Sequence, residues 1–170
     1  MDAVSISRAV VVMGVSGTGK TTIGRALADA LGVPFVEGDD LHPEANKRKM
    51  AAGIPLTDDD RAPWLDLVAA ELDAPAVVAC SALKRRYRDR LRQAAPDLAL
   101  VYLHGEPALL AARMEGREGH FMPTSLLRSQ LETLEVPDPD EEAIPADVAL
   151  RPDEIVELVV PRLEKEDPDV

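Results

Sequence analysis

The chain has 170 residues, a formal net charge of −12, 46% apolar residues and only 3% aromatic ones. That length suits one domain spanning residues 1–170 with an Ala, Val, Leu and Ile core, and a lone cysteine, Cys80, excludes an internal disulfide framework and fits the reducing cytoplasm. The acidic balance excludes a general nucleic-acid binder, and the absence of a leader pattern and of any apolar run near ~20 residues excludes a membrane-spanning class.

In chain order, short apolar runs alternate with helical patterns, which predicts an α/β fold with a parallel sheet. Residues 9–13 form a continuous apolar run ending at Gly14, as a buried strand does. Residues 21–31 place Ile23, Ala26, Leu27, Ala30 and Leu31 on one helical face, and Gly32 stops the helix. A second strand is expected over 34–37, and a helix over 63–72 with Pro63 in its first turn. Strands follow at 76–80 and 98–103, then helices at 107–114 and 126–134, a last strand at 146–150 and a last helix at 153–163. Five strands with helical crossovers give an open doubly wound sheet flanked by helices on both faces. Its ligand belongs beyond the carboxyl ends of the strands.

Between the first strand and first helix lies Gly14-Val15-Ser16-Gly17-Thr18-Gly19-Lys20-Thr21, which fits G-x-x-x-x-G-K-[ST], the phosphate loop of P-loop NTPases, and Thr22 after it is a further candidate for the nucleotide. Its glycines let backbone N–H groups wrap phosphate oxygens, Lys20 reaches the β- and γ-phosphates, and Thr21 offers a hydroxyl to Mg²⁺. The helix behind it brings its positive end to the same place. ATP and Mg²⁺ are therefore the expected cofactors. The third strand ends without an acid, so Glu37, Asp39 and Asp40, after the second strand, are the nearest candidates to serve the metal, an acceptor hydroxyl, or both.

Further blocks carry a resemblance. They are Gly38-Asp39-Asp40-Leu41-His42-Pro43, Asp58-Asp59-Asp60-Arg61-Ala62-Pro63-Trp64, Cys80-Ser81-Ala82-Leu83-Lys84 with Tyr87-Arg88-Asp89, and Gly119-His120-Phe121-Met122-Pro123 with Ser129-Gln130. Over about residues 8–137 the series resembles bacterial gluconokinases of the shikimate-kinase-like group. The resemblance implies phosphorylation of D-gluconate to 6-phosphogluconate by ATP, a substrate region near 39–65, a lid near 115–124 and a homodimer. It also implies that Asp39 holds the acceptor hydroxyl and takes its proton. Where related enzymes commonly read Asp-Gly-Asp, this chain reads Glu37-Gly38-Asp39, in which Glu37 keeps the charge but reaches farther; Glu37 and Asp39 are expected to meet the metal through water.

The cations are assigned roles against plainer readings. Arg61 is either a solvated residue at a helix start capped by Asp60 or a fork donor to a substrate carboxylate, and the resemblance implies the second. His42 and Lys49 are candidates for the same sugar site. Lys84, Arg88 and Arg92 follow at i, i+4 and i+8; Lys84 and Arg88 are expected to face the acceptor, while Arg85, Arg86, Arg90 and Arg92 form a solvated face. Arg117 is expected to swing onto the transferring phosphate and Arg113 to stack on adenine, with Arg151 and Pro152 edging the adenine pocket. Cys80 reads as a small residue lining the site.

Residues 132–170 hold 14 acidic and 3 basic residues, so their balance of −11 accounts for nearly all the net charge. They read as a solvated acidic surface. Two alternatives to a gluconokinase remain at the level of sequence. One is a kinase for shikimate or a nucleoside monophosphate; the other is a nucleotide-gated binding module without turnover.

Overall fold

The structure, a computed structural model, describes residues 6–115 and 124–166. Five strands form one parallel sheet, namely β1 (Val10–Met13), β2 (Phe35–Glu37), β3 (Val77–Ala79), β4 (Ala99–His104) and β5 (Ile144–Asp147). Their spatial order is β2-β3-β1-β4-β5. β1 pairs with β3 through Val11 and Val78 and with β4 through Val11 and Leu100, so it sits at the centre. All four of its residues are fully buried, which is why the run is apolar without alternation.

Seven helices among the described residues connect and cover the sheet. They are α1 (Lys20–Leu31), α2 (Glu44–Ala51), α3 (Asp58–Ala70), α4 (Arg85–Ala94), α5 (Pro107–Glu115), α6 (Thr124–Thr133) and α7 (Pro152–Glu166). One face of the sheet packs Val10, Val12 and Val101 with Leu27 and Leu31 of α1 and Ile155 and Val159 of α7. The other packs Val11, Met13 and Val78 with Trp64 and Val68 of α3 and Leu91 of α4. Alternate residues of β1 thus feed two layers, as the strand period requires. Among the described residues no helix is long and apolar enough to cross a membrane.

Three elements differ from the sequence expectation. α2 was not foreseen, because Asn46 is its one buried residue and it shows no apolar stripe. α3 begins at Asp58, so Pro63 lies inside the helix and not at its first turn. Thr57 starts it with a capping box: Thr57 Oγ1 accepts from Asp60 N at 3.1 Å and Asp60 Oδ2 accepts from Thr57 N at 2.9 Å. β5 begins at Ile144 and contains Pro145, which is tolerated because β5 is an edge strand.

Candidate active site

The candidate site lies beyond the carboxyl end of β1, which has β3 on one side and β4 on the other. The turn after β1 is the phosphate loop. Gly19, with φ +84°, supplies the left-handed residue that starts α1. Thr18 Oγ1 donates to Val15 O at 2.8 Å, and Lys20 Nζ folds back onto Gly14 O at 2.9 Å. These bonds shape the cradle from within.

The turn after β2 comes to the same mouth. A Cβ on Gly38 would meet Ala79 O at 2.1 Å, so only glycine lets this turn press against β3. The Gly38 carbonyl accepts from Trp64 Nε1 at 2.8 Å. Trp64 is itself buried, and His42 stacks on it with ring centroids 4.1 Å apart. The tryptophan of α3 therefore fixes the backbone on which Asp39 and His42 sit. Glu37 accepts from the Thr21 hydroxyl and from Asp39 N. Burial raises the Glu37 carboxyl above its usual range, the bond from Thr21 opposes this, and the charge of Asp39 adds to the rise.

Asn46 fixes the chemistry of His42. Its Nδ2 donates to Asp60 O at 2.8 Å and lies 3.2 Å from His42 Nδ1. A carbonyl partner identifies Nδ2 as the amide nitrogen, so His42 Nδ1 accepts and Nε2 carries the proton. Burial pushes His42 down to about 4, against the pull of Asp39 and with the help of Arg61 and Lys47. His42 is a neutral donor at neutral pH.

Arg61 is braced rather than solvated. Its Nη1 donates to Leu56 O at 2.7 Å and to Tyr87 Oη at 3.1 Å, and its guanidinium lies over the Tyr87 ring. The Nε and Nη2 edge has no protein partner among the described residues. One pocket is lined by Ser16, Lys20, Asp39, His42, Arg61, Ser81 and Gln130. A cationic cradle, an acid, a neutral donor and an arginine fork thus share a single cavity.

A second groove runs along the other side of the cradle, lined by Gly17, Thr18, Gly19, Thr22, Arg113, Val148, Leu150 and Pro152. Arg113 Nη2 donates to Val148 O at 2.6 Å, which holds its guanidinium along the groove wall. The sequence pointed to Arg113 and Pro152 but not to Val148 and Leu150, which follow an edge strand with a proline in it.

Several expected site residues are placed elsewhere. Arg88 is 1% exposed and binds Glu141 through Nε at 2.6 Å and Nη2 at 3.0 Å, while Nη1 donates to Ala82 O and Leu83 O. It is a buried brace, not a pocket residue. Lys49 Nζ is clamped by both oxygens of Asp60, at 3.0 and 2.9 Å, and Lys84 Nζ lies 3.4 Å from Asp58. Neither lines the pocket; the residues beside them, Met50 and Leu83, do. Arg151 turns to Asp153 and Glu154 and is 72% exposed, so only its neighbours reach the groove. Cys80 is wholly enclosed, its thiol pushed up to about 12 by burial, and Ser81 takes the lining position. Arg117 and the expected lid at 115–124 fall outside the described residues except at their ends.

Gln130 was quoted in the sequence without a role, yet its Oε1 accepts from Ser16 N at 2.7 Å and from Ser16 Oγ at 3.1 Å. Nothing in a lone glutamine 114 residues away signals such a contact. Trp64 likewise was quoted at the end of its block without a role, yet its Nε1 donates to Gly38 O at 2.8 Å.

The residues available for Mg²⁺ are the Thr21 hydroxyl with the Glu37 and Asp39 carboxylates, an all-oxygen set suited to a hard cation. Among the described residues no group of three or more His, Cys, Asp or Glu forms a cage.

The chain is similar to known proteins over most of its length. The family model described as shikimate kinase matches residues 16–144. A gluconokinase of Gluconobacter oxydans is 51% identical over 168 residues, covering 94% of this chain and 93% of its own. The thermosensitive gluconokinase of Escherichia coli is 46% identical over 140 residues, covering 79% of this chain and 75% of its own. The crystal structure of a gluconokinase from Sinorhizobium meliloti superposes with a TM-score of 0.89 at 52% identity, over 97% of this chain and 96% of that one. This chain belongs to the gluconokinases, within the shikimate-kinase group of P-loop kinases.

Proposed function

We propose that this protein transfers the γ-phosphoryl group of ATP to D-gluconate, giving 6-phosphogluconate and ADP. The observation that carries the reading is that Lys20 of the cradle and Asp39, His42 and Arg61 line one pocket. The nucleotide phosphates lie against the loop of residues 14–21, in which the Ser16 N–H is already donated to Gln130 Oε1, and the base side of the nucleotide follows the groove bounded by Arg113 and Pro152. The sugar enters from the side of α3.

Asp39 accepts the hydrogen bond of the terminal hydroxyl and takes its proton as the oxygen attacks the phosphorus. The P–O bond to ADP breaks as the new one forms. Positioning and charge supply most of such a reaction, and the Trp64–Gly38 bond supplies the positioning. His42 offers a neutral N–H to a sugar hydroxyl. Arg61, braced at Nη1, offers its Nε and Nη2 edge to the carboxylate, a geometry that favours a bidentate pair. Mg²⁺, when bound, neutralises charge on the β- and γ-phosphates; Thr21 would hold it, with Glu37 and Asp39 through water. Lys20 gives up its contact with Gly14 O to meet the same phosphates.

The test is ADP release measured with gluconate, shikimate and nucleoside monophosphates as acceptors. Release stimulated by gluconate alone is expected. Equal stimulation by shikimate, or none by any acceptor, would overturn the assignment.

A further inference from the structure

Gln130 stands on α6, far in sequence from the cradle, yet it closes one lip of it. Its orientation is fixed by chemistry. Ser16 N can only donate, so the atom 2.7 Å away is the amide oxygen, and the amide nitrogen is the other branch. The Ser16 hydroxyl, at 3.1 Å, holds the same oxygen from a second direction. The side chain is therefore gripped at Oε1, and Gln130 lines the pocket that Ser16, Lys20 and Asp39 also line. That is where the phosphate leaving the nucleotide and the hydroxyl receiving it must meet.

We propose that the Gln130 amide nitrogen is a ligand of the γ-phosphate, with Ser16 serving to aim it. The inference rests on the kinase reading above and extends it to a residue outside the phosphate loop. Gln130 would contact the terminal phosphate and not the two that remain on ADP. It would help this protein distinguish a nucleoside triphosphate from a diphosphate.

The test compares the affinity for a non-hydrolysable ATP analogue with that for ADP, by calorimetry with Mg²⁺ present and no acceptor. Gln130→Glu keeps an oxygen for Ser16 but replaces the donor by a second oxygen. Gln130→Met removes both functions without adding charge. Thermal unfolding of each variant checks that it is folded. The proposal predicts that the ratio of triphosphate to diphosphate affinity falls about tenfold to a hundredfold in both variants, the size of one charge-assisted hydrogen bond. A loss in Gln130→Met alone would make the residue a mere tether for Ser16, and a loss in Gln130→Glu alone would be simple charge repulsion. Either result, or an unchanged ratio in both, overturns the proposal. Because no acceptor is present, failure of gluconate turnover would sink the assigned reaction without touching this readout.

Discussion

Asp39 owes its place to a tryptophan 25 positions on. The indole N–H of Trp64 holds the Gly38 carbonyl, and the ring carries His42 on its face. Trp64→Phe keeps most of the packing and removes that bond. It should cost about 1–2 kcal/mol of stability, since a buried carbonyl loses its donor, and it should lower kcat more than it changes the KM for ATP. Urea unfolding and steady-state kinetics check the two parts; an unchanged kcat would mean that the turn holds itself. The cradle was legible from residue type and spacing, because phosphate chemistry demands those groups, whereas Asp39, His42 and Arg61 were assigned their roles only through the resemblance; all three line one pocket with Lys20. Lys49 and Arg88 were misread for a common reason. A sequence shows a cation near the site but not the anion that captures it, and here Asp60 and Glu141 do so.

The segment after α6 shows the same effect for whole elements. Read as a solvated acidic surface, it instead ties down α4. Glu135 Oε1 accepts from Arg85 N at 3.0 Å, Asp138 and Asp140 hold the Arg85 side chain, and Glu141 takes both Arg88 and Arg92. The presumed solvated face of α4 is therefore largely neutralised by paired carboxylates. Arg88→Met leaves Glu141 buried with one partner fewer and should cost ~3–5 kcal/mol, read as a lowered urea midpoint. Arg88→Met combined with Glu141→Leu should recover much of that loss, because no buried charge is stranded. The start of α3 was missed because Pro63 looks like a first-turn residue, whereas the capping box at Thr57 and Asp60 sets the boundary five residues earlier. Thr57→Ala should cost about 1 kcal/mol in the same unfolding measurement.

For the whole molecule, the sheet and its crossovers were readable because central strands must be apolar on both faces. β5 was shifted because edge strands obey weaker rules. The charge pattern also sets the pH response. Glu141 is buried, which alone would raise it, but the Arg88 and Arg92 guanidinium groups hold it down at about 2. His42 is held down at about 4 by burial. In both cases the unfolded chain binds more protons than the folded one, so stability is fully present above each group's ordinary value and is lost as the pH falls through the folded one. Unfolding free energy should therefore decline from about pH 6.5 towards pH 4 as His42 is penalised, and decline further below about 4.5 through Glu141. His42→Asn should flatten the first limb only; a profile that keeps its slope there would contradict the neutral assignment of His42.

The central claim is that Asp39 presents the acceptor hydroxyl to a nucleotide held in the cradle. Its most direct test is the rate of ADP release by Asp39→Asn at saturating ATP and gluconate, compared with the unaltered protein. The account predicts a fall of about 10²–10⁴-fold, the usual worth of a positioned proton acceptor. A rate within a few-fold of the unaltered protein would contradict it.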